Sequence, residues 1–106
     1  SANVNHEFEV TENSVSEIKD RLKTIYSERT NKMKKQQLTL LVKHGIRKAN
    51  EYAIKTETDV TRFIEAKLVL GNALEKNKAY KNILHNKKLT GAQKINKIEE
   101  LMLFQD

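Results

Sequence analysis

Three histidines and two acidic pairs are the side chains of this sequence that could bind a metal or exchange protons. His6, His44 and His85 stand far apart, and none has a second histidine or a carboxylate at ligand spacing within a predicted helix. A zinc site needs about four convergent ligands, so the sequence does not predict a metal site.

The acidic pairs, Glu57 with Asp59 and Glu99 with Glu100, fall at helix ends or on predicted solvent faces. General acid-base catalysis needs a carboxylate whose pKa is raised inside a pocket. The chain also has no cysteine, nucleophile elbow, phosphate-binding glycine loop or dinucleotide fingerprint. We therefore expect a non-enzymatic protein without a cofactor.

Lysine and arginine are concentrated in two blocks without any acidic residue, in a chain whose net charge is +6. Each phosphate contact by such residues releases counterions and strengthens binding to nucleic acid. Nucleic acid is nevertheless disfavoured, because lysine heavily outnumbers arginine and no recognition helix is evident. An acidic protein partner would use the same charges around an exposed apolar strip. The blocks comprise Arg29, Lys32, Lys34, Lys35, Lys43, Arg47 and Lys48, then Lys76, Lys78, Lys81, Lys87, Lys88, Lys94 and Lys97.

These blocks must be positioned by helices. The chain has 106 residues, three glycines and no proline, which predicts one all-α domain, an irregular bundle of roughly four to five helices. No apolar run is long enough to span a membrane, and no signal-peptide pattern opens the sequence. A cytoplasmic protein is expected, with export beside a cargo as the alternative; a homo-oligomer stays open.

Apolar residues at three- and four-residue spacing predict a first helix that starts at Ser14, with Glu17 completing a capping box, and extends to Met33. A second stripe runs from Leu38 to Tyr52, and the two helices are either continuous or bent. Gly45 lies on the apolar side of the second stripe, where the close approach of another helix would favour glycine.

Thr56 predicts the start of a third helix, which is the most apolar and ends at Gly71-Asn72. Its residues Phe63, Ile64 and Leu68 are expected at the centre of the core. A short fourth helix contains Tyr80, Ile83 and Leu84, and a capping box of Thr90 with Gln93 begins the last one.

Residues 1–13 are acidic and show no helical stripe, which predicts an extended arm or a disordered tail before a helical domain at 14–106. Phe8 and Val10 alternate along this arm as an added strand would require. We predict partner contacts from the arm and from the basic part of the first two helices, namely Phe8, Val10, Lys34, Lys35, Arg47 and Lys48.

The stretch LVKHGIRKANEYAIKTETDVTRFIEAKLVLG, Leu41 to Gly71, resembles short helical accessory proteins of bacterial type VI secretion toxin cassettes in the order and spacing of its residues. The resemblance extends into Tyr80, Ile83, Leu84 and the segment 89–101. Ala53 stands where that family tends to have glycine, and the proline usual before the Ile-Leu segment is absent.

The resemblance implies a small accessory protein that binds a secreted effector, spike or adaptor component as a chaperone or adaptor, and it implies no catalytic residue. Two alternatives are an immunity protein for a co-encoded toxin and a basic nucleic-acid-binding regulator. An immunity protein that blocks a nuclease usually presents an acidic patch, whereas this chain is basic.

Overall fold

The computed structural model describes residues 12–104, and within that range all regular secondary structure is helical. Five of its seven helices exceed one turn, and two are four residues long. This arrangement confirms the all-α class and the irregular bundle. The helices are α1 (Glu12–Ile25), α2 (Ser27–Thr30), α3 (Lys35–Glu51), α4 (Glu57–Leu70), α5 (Ala73–Lys76), α6 (Lys78–Leu84) and α7 (Gly91–Leu103).

The start of α1 differs from the prediction. The helix begins at Glu12, so Ser14 lies inside it and the capping box of Ser14 with Glu17 is wrong. Ser14 is then the third residue of the helix, whereas an N-cap residue must precede the first helical residue. Residues 12 and 13 therefore belong to α1 and not to the arm, whose Phe8 and Val10 lie outside the described residues.

The first two predicted helices are neither one continuous helix nor a single bent one. Tyr26 departs from helical geometry with φ −119° and ψ 45°, so the segment to Met33 contains a separate turn, α2. Lys34 is extended at φ −70° and ψ 152°, and α3 starts after it. The side chain of Gln37 accepts a 2.8 Å hydrogen bond from the Lys34 amide and closes this start without a Gly or Pro breaker.

Helix α4 is central and packs against α3, α5 and α7. Phe63 and Ile64 are fully buried, as predicted. A Cβ atom on Gly45 would lie 2.6 Å from Cγ1 of Ile64, which confirms that α4 approaches α3 closely at this glycine. The placement of Leu68 at the centre is wrong, because it is only partly buried and lines an open groove with Met33.

The predicted caps at the later helices are confirmed. The Thr56 hydroxyl accepts from the Asp59 amide at 3.2 Å, and Gly71 ends α4 with φ 59°. Thr90 and Gln93 exchange hydrogen bonds of 3.1 and 2.9 Å at the start of α7. The single turn α5 was not predicted, since four residues show no periodicity.

The turn after α3 packs against the start of α7. The Ile54 amide donates to the Ala49 carbonyl at 2.9 Å, and the Ala53 amide donates to the Asn50 carbonyl at 3.1 Å, which is a Schellman motif. Ala53 has φ 63° at the position where glycine is usual. A Cβ atom on Gly91 would lie 2.5 Å from the Ala53 carbonyl oxygen, so glycine lets α7 begin against this turn.

Candidate protein-docking surface

Helix α3 has one face in the core and one in solvent. The buried face consists of Leu38, Val42, Gly45, Ile46 and Ala49. The opposite side carries Leu40, Lys43, His44 and Arg47, all exposed, at three- and four-residue spacing that places them on one side of the helix. These four residues are called the Leu40 face below.

Leu40 is the unusual member of this face, with 65% of its surface exposed. The other large apolar residues exposed in the part of the chain that the structure describes are Ile25, Leu103 and Phe104, which stand at or just after helix ends. Leu40 lies inside a long helix. The sequence could have indicated this exposure, because Leu40 does not belong to the apolar stripe that contains Leu38, Leu41 and Val42.

The charges of the Leu40 face are not neutralised by the fold. Among residues 12–104, Lys43, His44 and Arg47 form no ion pair. Glu51 stands one turn beyond Arg47, but it pairs with Lys48 at 3.1 Å. The face therefore offers an apolar centre bordered by positive charge.

The structure separates the basic residues predicted to contact a partner. Lys34 and Lys35 are exposed at the start of α3, and Lys34 lies roughly 20 Å along the helix axis from Arg47. Lys35 is turned about 140° around the helix from Leu40. Arg47 belongs to the Leu40 face, whereas Lys48 is turned to the side and is held by two carboxylates.

The second carboxylate at Lys48 belongs to Glu75 of α5, the centre of a polar cluster formed by Lys48, Tyr52, Lys67 and Glu75. The Tyr52 hydroxyl donates a 2.7 Å hydrogen bond to the Glu75 carboxylate, and Lys67 also donates to this carboxylate. The Nζ atom of Lys48 lies 3.3 Å from the Oε2 atom of Glu75. The Tyr52 ring lies against Phe63 at 6.0 Å between centroids. We call this set the Tyr52 cluster, and it connects α3, α4 and α5.

The protonation of Glu75 suits a structural role. Burial alone would raise the pKa of this carboxyl group, but the hydrogen bonds from Lys67 and Tyr52 and the charge of Lys67 outweigh burial and lower the pKa to about 2. A general base works best when its pKa is near the operating pH. Glu75 is thus a poor proton acceptor at neutral pH, and its hydrogen-bonding capacity serves the fold.

Lys94, counted above in the second basic block, is not a surface charge. Its side chain is buried and donates a 2.7 Å hydrogen bond to the Tyr52 carbonyl, near the C-terminal end of α3. Burial lowers the pKa of this amine. A lysine suits the negative end of a helix dipole. Sequence periodicity did not reveal this position, because a buried lysine looks like any other lysine in a polar segment.

The remaining clusters offer less to a ligand. A groove between α1 and α4 is lined by Arg21, Glu57 and Arg62, but Arg21 pairs with Glu65, and Arg62 pairs with Asp59 and Glu99. Across residues 12–104, no three His, Cys, Asp or Glu side chains gather as metal ligands would. None of the helices described here combines the length and apolar character needed to cross a membrane.

No protein-family model, curated protein or solved structure matches this chain.

Proposed function

We propose that this chain is a non-enzymatic protein-binding module that docks an acidic segment of a protein partner on the Leu40 face. The observation that carries the proposal is a leucine exposed in the interior of a helix and bordered by Lys43, His44 and Arg47. The core of a protein interface is depleted of charge and enriched in apolar groups and arginine, with a polar rim around it. The Leu40 face has this composition on a small scale.

The charge of the face selects the partner. Lys43 and Arg47 are one turn apart, and their positive potential is not offset by an ion pair among the described residues. Acidic side chains opposite them would steer the encounter and fix its register. Covering Leu40 with an apolar side chain would contribute about 1.5–3 kcal/mol. A segment with an apolar residue flanked by carboxylates fits both requirements.

The resemblance in Leu41–Gly71 supports a specific setting for this binding. That stretch includes Lys43, His44 and Arg47, together with the helix α4 that positions α3. In this proposal the partner is an effector, spike or adaptor component of a type VI secretion cassette. The chain would act as its chaperone or adaptor in the cytoplasm before the cargo is exported.

Photocrosslinking tests the docking proposal. A benzoylphenylalanine replaces Leu40 in the full chain, expressed in the host, and the crosslinked protein and peptide are identified by mass spectrometry. We expect one dominant product whose crosslinked segment is acidic, and we expect it to disappear when Lys43→Glu and Arg47→Glu are added, because like charges then face each other.

The matched control places the same probe at Leu103, which is 81% exposed at the end of α7. The docking proposal fails if Leu103 gives the same product, if the crosslinked segment is not acidic, or if the charge reversals leave the product unchanged. A specific acidic partner unrelated to secreted effectors or spikes would refute only the type VI setting.

A further inference from the structure

A second group of exposed basic residues follows the Leu40 face along the chain. It consists of the exposed lysines of α5, α6, the loop before α7, and α7 itself, and we call it the lysine surface. No acidic residue occurs between positions 76 and 97, and α6 packs against both α5 and α7. The lysine surface comprises Lys76, Lys78, Lys81, Lys87, Lys88 and Lys97.

Its lysines are carried by an ordered backbone. In α6, Tyr80 and Leu84 are buried, whereas Lys78 and Lys81 are exposed, as is His85 directly after the helix. In the following loop, the Asn86 side chain accepts a 2.9 Å hydrogen bond from the Lys88 amide. The His85 ring lies edge-on to Tyr52, with 5.4 Å between ring centroids. These contacts fix the segment that presents the charges.

The two basic surfaces differ in what accompanies the charge. Leu40 gives the first an apolar centre, but none of the large apolar residues exposed within residues 12–104 belongs to the lysine surface. Protein interfaces are depleted of lysine and depend on apolar or aromatic anchors. Stable attachment to an anionic membrane also depends on buried apolar area in addition to charge. The lysine surface supplies charge alone.

The side chains that accompany the lysines also indicate which kind of nucleic acid they would bind. Binding of single strands relies on aromatic side chains that stack on bases, and Tyr80, the aromatic residue of α6, is buried. Base reading usually relies on bidentate contacts, to which arginine is better suited than lysine. Lysine acts as a point charge that suits phosphate.

We propose that the lysine surface binds the phosphate backbone of duplex nucleic acid without reading its base sequence. From the sequence, the two basic blocks look alike and together give only a weak nucleic-acid signal. In the structure, Leu40 accompanies Lys43 and Arg47 of the first block, whereas none of the large apolar residues exposed within residues 12–104 lies among the exposed lysines of the second. Such binding has a dissociation constant of roughly 10⁻⁴–10⁻⁶ M at physiological salt and weakens steeply as salt is added.

The test measures binding of the full chain to a fluorescent DNA duplex by anisotropy across a salt series starting at about 0.05 M. One variant carries Lys81→Gln, Lys87→Gln and Lys88→Gln. The matched control carries Lys32→Gln, Lys34→Gln and Lys35→Gln, exposed lysines of the first block, and has the same net charge. Circular dichroism confirms that both variants keep the helicity of the parent.

We expect the first variant to bind at least roughly tenfold more weakly than the parent and to lose about 2–3 units of the slope of log affinity against log salt. The affinity of the control variant for the duplex should stay within about threefold of that of the parent. Equal weakening by both variants would mean that affinity follows net charge without a site. That result would overturn the proposal, as would the absence of binding to the duplex at low salt. Stronger binding to a single strand, or to phosphatidylserine vesicles, than to the duplex would overturn it as well.

Discussion

Replacing Phe63 with alanine is expected to lower the free energy of unfolding by about 3–5 kcal/mol. The Phe63 side chain is completely buried in the central helix α4 and contacts the Tyr52 ring. Truncation removes its transfer free energy and leaves a cavity that the α3 and α7 packing closes only in part. Since a domain of this kind is stable by about 5–15 kcal/mol, the variant should be close to unfolding.

Urea denaturation followed by circular dichroism at 222 nm measures this loss. The control is Leu103→Ala, because Leu103 is exposed and its truncation should change the free energy by less than about 0.5 kcal/mol. A Phe63→Ala variant whose free energy of unfolding stays within about 0.5 kcal/mol of the parent would show that α4 is not the centre of the core.

Glu75→Ala is expected to lower the free energy of unfolding by about 2–4 kcal/mol at neutral pH, because it opens the Tyr52 cluster. Lys67, whose side chain is only 14% exposed, and the Tyr52 hydroxyl would both lose the acceptor that they share. Leaving a charge and a hydroxyl without their acceptor in a partly buried site costs more than the net strength of the original contacts. Denaturation of the variant at pH 7 measures the loss.

The pH dependence isolates the contribution of the carboxylate. The pKa of Glu75 is about 2 in the folded chain, against an ordinary value of 4.5 for this carboxyl group. The unfolded state therefore binds the proton first as pH falls, so the stability that Glu75 contributes is complete above about 4.5 and is lost towards pH 2. The difference in unfolding free energy between the parent and Glu75→Gln should shrink over that window. A difference that stays constant with pH would contradict this role.

The elements that could be read from the sequence are those specified by local chemistry. Thr56 and the pair of Thr90 and Gln93 cap their helices through side chains within the same turn. Gly45 marked a close helix approach because a glycine on an apolar stripe has few other reasons to be there. Each of these signals depends on residues only a few positions apart.

Other features depend on contacts between distant segments. Lys94 lies under Tyr52 because α7 starts against the turn at Ala53, which no local pattern indicates. The split between α1 and α2 follows the backbone of Tyr26, and no Gly or Pro marks it. Leu40 and Arg47 share a face that follows from helical spacing once α3 is placed. The sequence does not show which basic residues of α3 form ion pairs, because that depends on where Glu51 and Glu75 lie in the fold.

The most direct test of the Leu40 face uses the partner protein that photocrosslinking at position 40 identifies. Calorimetry measures the dissociation constant of that partner for the parent chain, for Leu40→Glu and for Leu103→Glu. We predict that Leu40→Glu raises this constant by roughly 30-fold or more, since it removes the apolar anchor and sets a carboxylate against an acidic segment. Leu103→Glu should stay within about threefold of the parent. Equal dissociation constants for the parent and Leu40→Glu would contradict the assignment of this face as the docking surface.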